Sequence, residues 1–173
     1  DESACLSEWL IPNEQMRKGV LAVDLIAEGK LRKRYRPVDL PMPSFKVRAE
    51  GLDKVADIKN EARMNTIINA MTQIPPETAA YYYLQWLPIL GTAYSEQGKK
   101  DTFSQRFNQA ISQVLASSKP NINAALVRSS VLYRYAEKDL EQANDIEKLM
   151  WRMGPENAKK VQNFVRELRF YLD

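Results

Sequence analysis

The sequence predicts a mainly α protein, a bundle or short superhelix of five to six helices. Three observations carry that expectation. Apolar residues recur three and four positions apart over long stretches, which at about 3.6 residues per turn gathers them on one face of a helix. Prolines and glycines fall between those stretches, at Pro75-Pro76, Gly98, Pro120 and Gly154-Pro155, where they stop one helix or open the next. At 173 residues and 45% apolar content the chain is long enough to bury a core of its own, and its single cysteine, Cys5, excludes an internal disulfide. A small β-hairpin in residues 19–48 is the one departure from helix that stays open.

Residues 84–119 read as two amphipathic helices folded back on each other through a turn at Gly98 to Asp101. In the first arm Leu84, Leu87, Leu90, Ala93 and Tyr94 share a face. Gly98 closes that arm in the left-handed conformation, with Lys99 and Lys100 near the negative end of the helix dipole. Asp101 is expected to cap the second arm. There Phe103, Phe107, Ala110, Ile111, Val114 and Leu115 form the inward stripe, and Gln105, Arg106, Gln109 and Gln113 point outwards. Stripes joined by so short a turn pack antiparallel.

At Leu90-Gly91, Tyr94, Gly98, Phe107 and Ala110 this hairpin resembles a single tetratricopeptide-type unit. It departs from that pattern at Phe103, where the family prefers a small alanine, and at Trp86, Pro88 and Pro120. The resemblance implies a helix-turn-helix unit that stacks on neighbours and binds peptides or protein partners on a concave face.

Elsewhere, residues 3–12 are expected to hold a short helix carrying Leu6, Trp9 and Leu10, with Asn13 as the cap of the next helix. Residues 13–27 read as a helix with Met16, Val20, Val23 and Ala27 on one side. The alternative is a hairpin: Val20 to Ile26 is rich in β-branched residues, Glu28-Gly29 suits a turn, Leu31, Lys33 and Tyr35 alternate, and residues 44–48 add a third strand. Helix is the preferred reading. Pro37, Pro41 and Pro43 make residues 37–44 extended. The chain thus divides into an N-terminal subregion and Pro-rich connector, residues 1–43, and a helical domain, residues 44–173. Further helices are expected at 52–74, from Glu77 onward with a kink or restart at Pro88, at 124–153 as one long helix, and at 156–172.

Net charge is only +3, so an electrostatic partner would have to be met by a local patch. The absence of every histidine removes the commonest general base and the imidazole metal ligands, and one cysteine removes thiolate zinc sites. The six glycines form no phosphate-binding motif. Carboxylate pairs remain at Asp53 with Asp57 and Glu137 with Glu141, and they read as solvated helix surface because nothing in the sequence buries or couples them. No catalytic residue, metal site or cofactor is therefore expected. With no apolar run of about eighteen residues, no transmembrane helix is expected either. The sequence opens on Asp1 rather than Met, as an excised domain or a processed product would. Ser3-Ala4 before Cys5 resembles the end of a bacterial lipidation signal, although Glu2 stands where such signals have an apolar residue.

Two candidate binding features remain. Lys30, Arg32, Lys33, Arg34 and Arg36 put five cations into seven residues, with Tyr35 among them and Lys46 and Arg48 soon after. Such a cluster suits an acidic protein segment, an anionic membrane surface or nucleic-acid phosphates, and equally the solvated end of a strand or helix. Lys159, Lys160, Arg166 and Arg169 extend it only where the fold brings the chain ends together. The second feature is Tyr81, Tyr82, Tyr83 and Trp86. Consecutive helix residues point about 100° apart, so at least one tyrosine is exposed, and exposed aromatics anchor protein interfaces. A wide core helix touching two neighbours accounts for them equally well. The expectation drawn from the whole is a non-catalytic helical protein–protein interaction module, a structural or adaptor component of a larger assembly, with Tyr81, Tyr82 and Trp86 on the partner side. The alternative is a nucleic-acid-binding helical domain using residues 30–36.

Overall fold

A computed structural model of the chain describes residues 14–32, 35, 43–118, 122–130 and 132–173. The fold is mainly α with a small antiparallel sheet. It runs α1 (Gln15–Ala27), β1 (Val47–Glu50), β2 (Asp53–Ala56), a 3₁₀ helix (Ile58–Arg63), α2 (Asn65–Thr72), α3 (Pro76–Ser95), α4 (Phe103–Ala116), β3 (Leu126–Ser129), β4 (Leu132–Tyr135), α5 (Lys138–Gln142), α6 (Asp145–Arg152) and α7 (Pro155–Leu172). The expected helix at 3–12, its successor's cap at Asn13 and the extended residues 37–42 lie outside the described residues.

Residues 15–27 are helical, so Glu28-Gly29 is no strand turn. Gly29 takes φ +70°, and the amides of Gly29 and Lys30 return to the carbonyls of Ile26 and Leu25 at 2.9 and 2.8 Å, which closes α1 in a left-handed cap. The Gly29 carbonyl then accepts the Asp145 amide at 2.9 Å and ties that cap to the start of α6.

Among the described residues the β structure begins at Val47 and pairs segments that are far apart in sequence. The sheet order is β1-β2-β3-β4, antiparallel throughout, with Glu50 opposite Asp53, Lys54 opposite Leu126 and Leu126 opposite Tyr135. Residues 52–74, expected as one helix, hold β2, the 3₁₀ helix and α2 instead. Gly51 at φ +60° supplies the first position of a two-residue hairpin turn. The Asp57 side chain then accepts the Lys59 amide at 2.8 Å and opens a separate helix. Residues 124–153, also expected as one helix, form the β3–β4 hairpin, α5 and α6. Val127 and Leu132 are both exposed rather than buried on a helix face; aliphatic and aromatic side chains here suit a pleated surface. Breaking two long helices into shorter elements leaves seven α-helices and one 3₁₀ helix among the described residues, rather than five or six.

The hairpin of α3 and α4 is present. Gly98 sits at φ +75° in the turn after α3. Thr102, not Asp101, caps α4: its hydroxyl accepts the Gln105 amide at 3.2 Å while the Gln105 side chain accepts the Thr102 amide at 3.0 Å, a capping box. Asp101 is occupied elsewhere, accepting the Tyr94 hydroxyl at 2.8 Å. α3 passes through Pro88 unbroken, so the expected restart does not occur.

Two cores result. Val20, Tyr94 and Phe103 meet between α1, α3 and α4, flanked by Tyr83, Leu87, Leu90 and Phe107. Through this core α1 packs on both α3 and α4. Ile68, Ile146, Met150, Met153 and Ala158 form the second core, between α2, α6 and α7. Gly154, at φ +85°, precedes Pro155 at the first position of α7, and the Glu61 side chain fills the space a Cβ would take. The buried Asn157 amide donates to the Glu61 carbonyl and to Asn65 Oδ1, both at 2.9 Å, and fastens α7 to the 3₁₀ helix and α2.

Candidate interaction surfaces

α3 is aromatic on both sides. Its inward side carries Ala80, Tyr83, Leu87, Leu90 and Tyr94. Tyr83 stacks on Phe107 with ring centroids 4.5 Å apart, and Tyr94 meets Phe103 edge-on at 5.8 Å. On the opposite side stand Tyr81, Tyr82, Trp86 and Ile89, exposed by 59, 58, 55 and 59%. Tyr82 and Trp86 are one turn apart, Tyr81 and Ile89 about two, so the four make a contiguous strip about 12 Å long. Tyr81 and Tyr82 meet edge-on at 5.4 Å. Within α3 the one acidic or basic residue is Glu77, in the first turn. A helix face that meets only water ordinarily carries charges, and this one carries none. Leu84, expected inward, is 48% exposed on the flank of the strip.

Behind this helix lies a charge cluster that sequence reading missed. Asp24 of α1 is 2% exposed. Its Oδ2 accepts Lys99 Nζ at 2.6 Å and its Oδ1 accepts Arg106 Nε at 2.6 Å, while Arg106 also reaches Glu28 Oε1 at 2.9 Å. The Tyr94 hydroxyl lies 3.3 Å from Asp24 Oδ1. Burial pushes the Asp24 carboxyl up, but the bonds from Lys99 and Arg106 outweigh it and hold its pKa below the ordinary 3.8. Burial, and then the bond to Asp101, raise the Tyr94 phenol well above its ordinary 10.0. Arg106, expected to point outwards, therefore points in. The signal was available: Asp24 stands four residues after Val20 and three before Ala27, on the apolar stripe of α1, and a charge there requires a buried partner. Matched and enclosed, the cluster is architecture that locks α1 to both arms of the hairpin.

The structure only partly describes the basic cluster. Lys30 pairs with Glu28 at 2.8 Å, Arg32 is exposed and Tyr35 half-buried. Lys33, Arg34 and Arg36 lie outside the described residues. Arg48 pairs with Glu50 and bonds Asn123. On α7, Lys160 bonds Asn69 and Arg169 bonds Ser112 of α4; among the described residues no hydrogen bond or ion pair joins them to Lys30 or Arg32. The carboxylate pairs do not share long helical faces. Asp53 lies in β2 and Asp57 caps the 3₁₀ helix, while Glu137 precedes α5 and Glu141 accepts the Tyr135 amide at 2.9 Å.

Fold and surface together define a mainly α protein with a small antiparallel sheet, an uncharged aromatic helix face and, among the described residues, no helix long and apolar enough to cross a membrane. Residues 15–169 match the family model described as protein of unknown function, DUF3014, and the chain belongs to that family. No curated protein and no solved structure matches it.

Proposed function

We propose that the protein is a non-catalytic helical interaction module, a structural or adaptor component of a larger assembly, that docks a protein partner on the outward face of α3. The uncharged strip of Tyr81, Tyr82, Trp86 and Ile89 carries this reading. Covering four half-exposed side chains of this size removes on the order of 400 Å² from water, about 10 kcal/mol before the costs of association. That area is about half of one partner's share of a standard interface. The partner presents an apolar, weakly charged face. Nucleic-acid phosphates and anionic headgroups find no cation on α3. The tetratricopeptide resemblance supports the same use of the hairpin, and the exposed Arg32 beside it in sequence with Lys33, Arg34 and Arg36 suits steering of a partner with an acidic rim.

The test is affinity. A partner recovered with the wild-type chain, purified and titrated back, is expected to bind Tyr82→Ala and Trp86→Ala at least about thirtyfold more weakly, as interface anchors do. Equal affinity for the variants removes α3 from the account. Titration with single- and double-stranded oligonucleotides at low and physiological salt decides the alternative. Tight, steeply salt-dependent binding, lost when Lys30, Arg32, Lys33, Arg34 and Arg36 are neutralised together, would put nucleic acid in the partner's place.

A further inference from the structure

A cleft of about 660 Å³ opens between β4, α6 and the end of the 3₁₀ helix, within the range of small-ligand sites. Its walls carry four cations, Arg63, Arg134, Lys148 and Arg152, and two carboxylates, Glu141 and Asp145. Both carboxylates are engaged with backbone amides: Glu141 with that of Tyr135 at 2.9 Å and Asp145 with that of Leu31 at 3.0 Å. Lys148 lies 3.9 Å from Glu141. Among the described residues, Arg63, Arg134 and Arg152 have no carboxylate within ion-pair distance.

Two of these guanidiniums are held in place. Arg63 Nε donates to the Pro43 carbonyl at 2.8 Å, and its guanidinium sits 5.4 Å from the centre of the Phe45 ring. Arg152 Nη2 donates to the Tyr133 carbonyl at 3.3 Å, and its guanidinium sits 5.9 Å from the Tyr135 ring. A carbonyl on one side and a ring face on the other fix each planar fork and leave further N–H donors, the geometry that grips a carboxylate or phosphate with two bonds. Burial first, and then the Arg152 charge, lower the Arg63 pKa. Like charges therefore oppose one another here, and an anion between them relieves that opposition.

We propose that this cleft binds a small oxyanion of two or more charges, a phosphate monoester or a dicarboxylate, between Arg63 and Arg152 with Arg134 at the rim. The site uses no residue of α3 and stands whether or not the partner reading holds.

Thermal unfolding in inorganic phosphate, in succinate and in sodium chloride of equal ionic strength tests it, followed by calorimetric titration. Phosphate or succinate is expected to raise the midpoint saturably above chloride, and the better of the two tells phosphoryl from carboxylate recognition. Arg63→Gln and Arg152→Gln should each weaken apparent affinity by about tenfold or more. Because Arg63 is half-buried and its loss can unfold the chain, Arg134→Gln, exposed on β4, gives an independent reading of weaker binding in an intact fold. No rise over chloride, or a rise undiminished in all three variants, overturns the site. So does a rise produced only by an oligonucleotide, which would make the cleft part of a nucleic-acid surface.

Discussion

Tyr82 and Tyr83 are neighbours in α3 with opposite surroundings. Tyr83 lies within 6.4 Å of Phe103 and stacks on Phe107, whereas Tyr82 is 58% exposed and meets Tyr81 edge-on. The inward face is explained by one chain folding: Val20, Tyr94 and Phe103 exclude water from each other. The outward face has the same residue types and no such explanation. The fold covers one apolar side of this aromatic helix and leaves the other exposed, and the proposed function assigns the exposed side to a partner.

The largest effect that would sharpen this contrast comes from the inward side. Phe103→Ala, at a position 4% exposed, is expected to destabilise by about 3–5 kcal/mol in chemical denaturation. A near-neutral result would mean the faces are assigned the wrong way round. Phe107→Ala, half-buried against Tyr83, is expected to follow at about 2–3 kcal/mol.

Asp24→Ala is expected to match it, at about 3 kcal/mol, because it leaves Lys99 and Arg106 facing each other without their carboxylate. The folded-state pKa of Asp24 is depressed, so its contribution is present above the unfolded value, near 3.8, and is lost as pH falls through the folded one. Urea midpoints of wild type and Asp24→Asn should therefore differ by a constant amount at neutral pH and converge below about pH 4. A gap that persists unchanged into acid would mean the carboxylate is not what the cluster recognises.

The smallest effect on stability belongs to the outward face. Trp86→Ala is expected to change unfolding free energy by no more than about 0.5 kcal/mol, while costing most of the partner affinity. A loss of stability comparable to that of Phe103→Ala would place Trp86 in the core of the folded chain and dissolve the comparison.

Local chemistry made the hairpin readable in advance. Pro75-Pro76 and Gly154-Pro155 mark helix starts, Gly98 sits at the turn, and three consecutive tyrosines cannot share one stripe. Of the sheet only a strand at residues 44–48, which overlaps β1, was readable, because the strands are four residues long and Lys54 finds Leu126 only across the whole helical hairpin. Four residues are too few to separate a period of two from one of 3.6, about one helical turn. Helical spacing therefore won by default at Val55, Leu126 and Tyr135. The Asp24 cluster left a trace, a carboxylate on an apolar stripe, but its partners Lys99 and Arg106 are more than seventy positions away. The arginine cleft left none, since Arg63, Arg134 and Arg152 acquire meaning only when the sheet and α6 bring them to one wall.

The most direct measurement places a photo-crosslinking amino acid at Gln85, in the middle of the aromatic strip, or at Lys159, also exposed, on α7, in the chain expressed in its native cells. The account predicts a discrete adduct with one other protein from position 85 and none from position 159. No protein adduct at 85, or the same adducts from both positions, would contradict it.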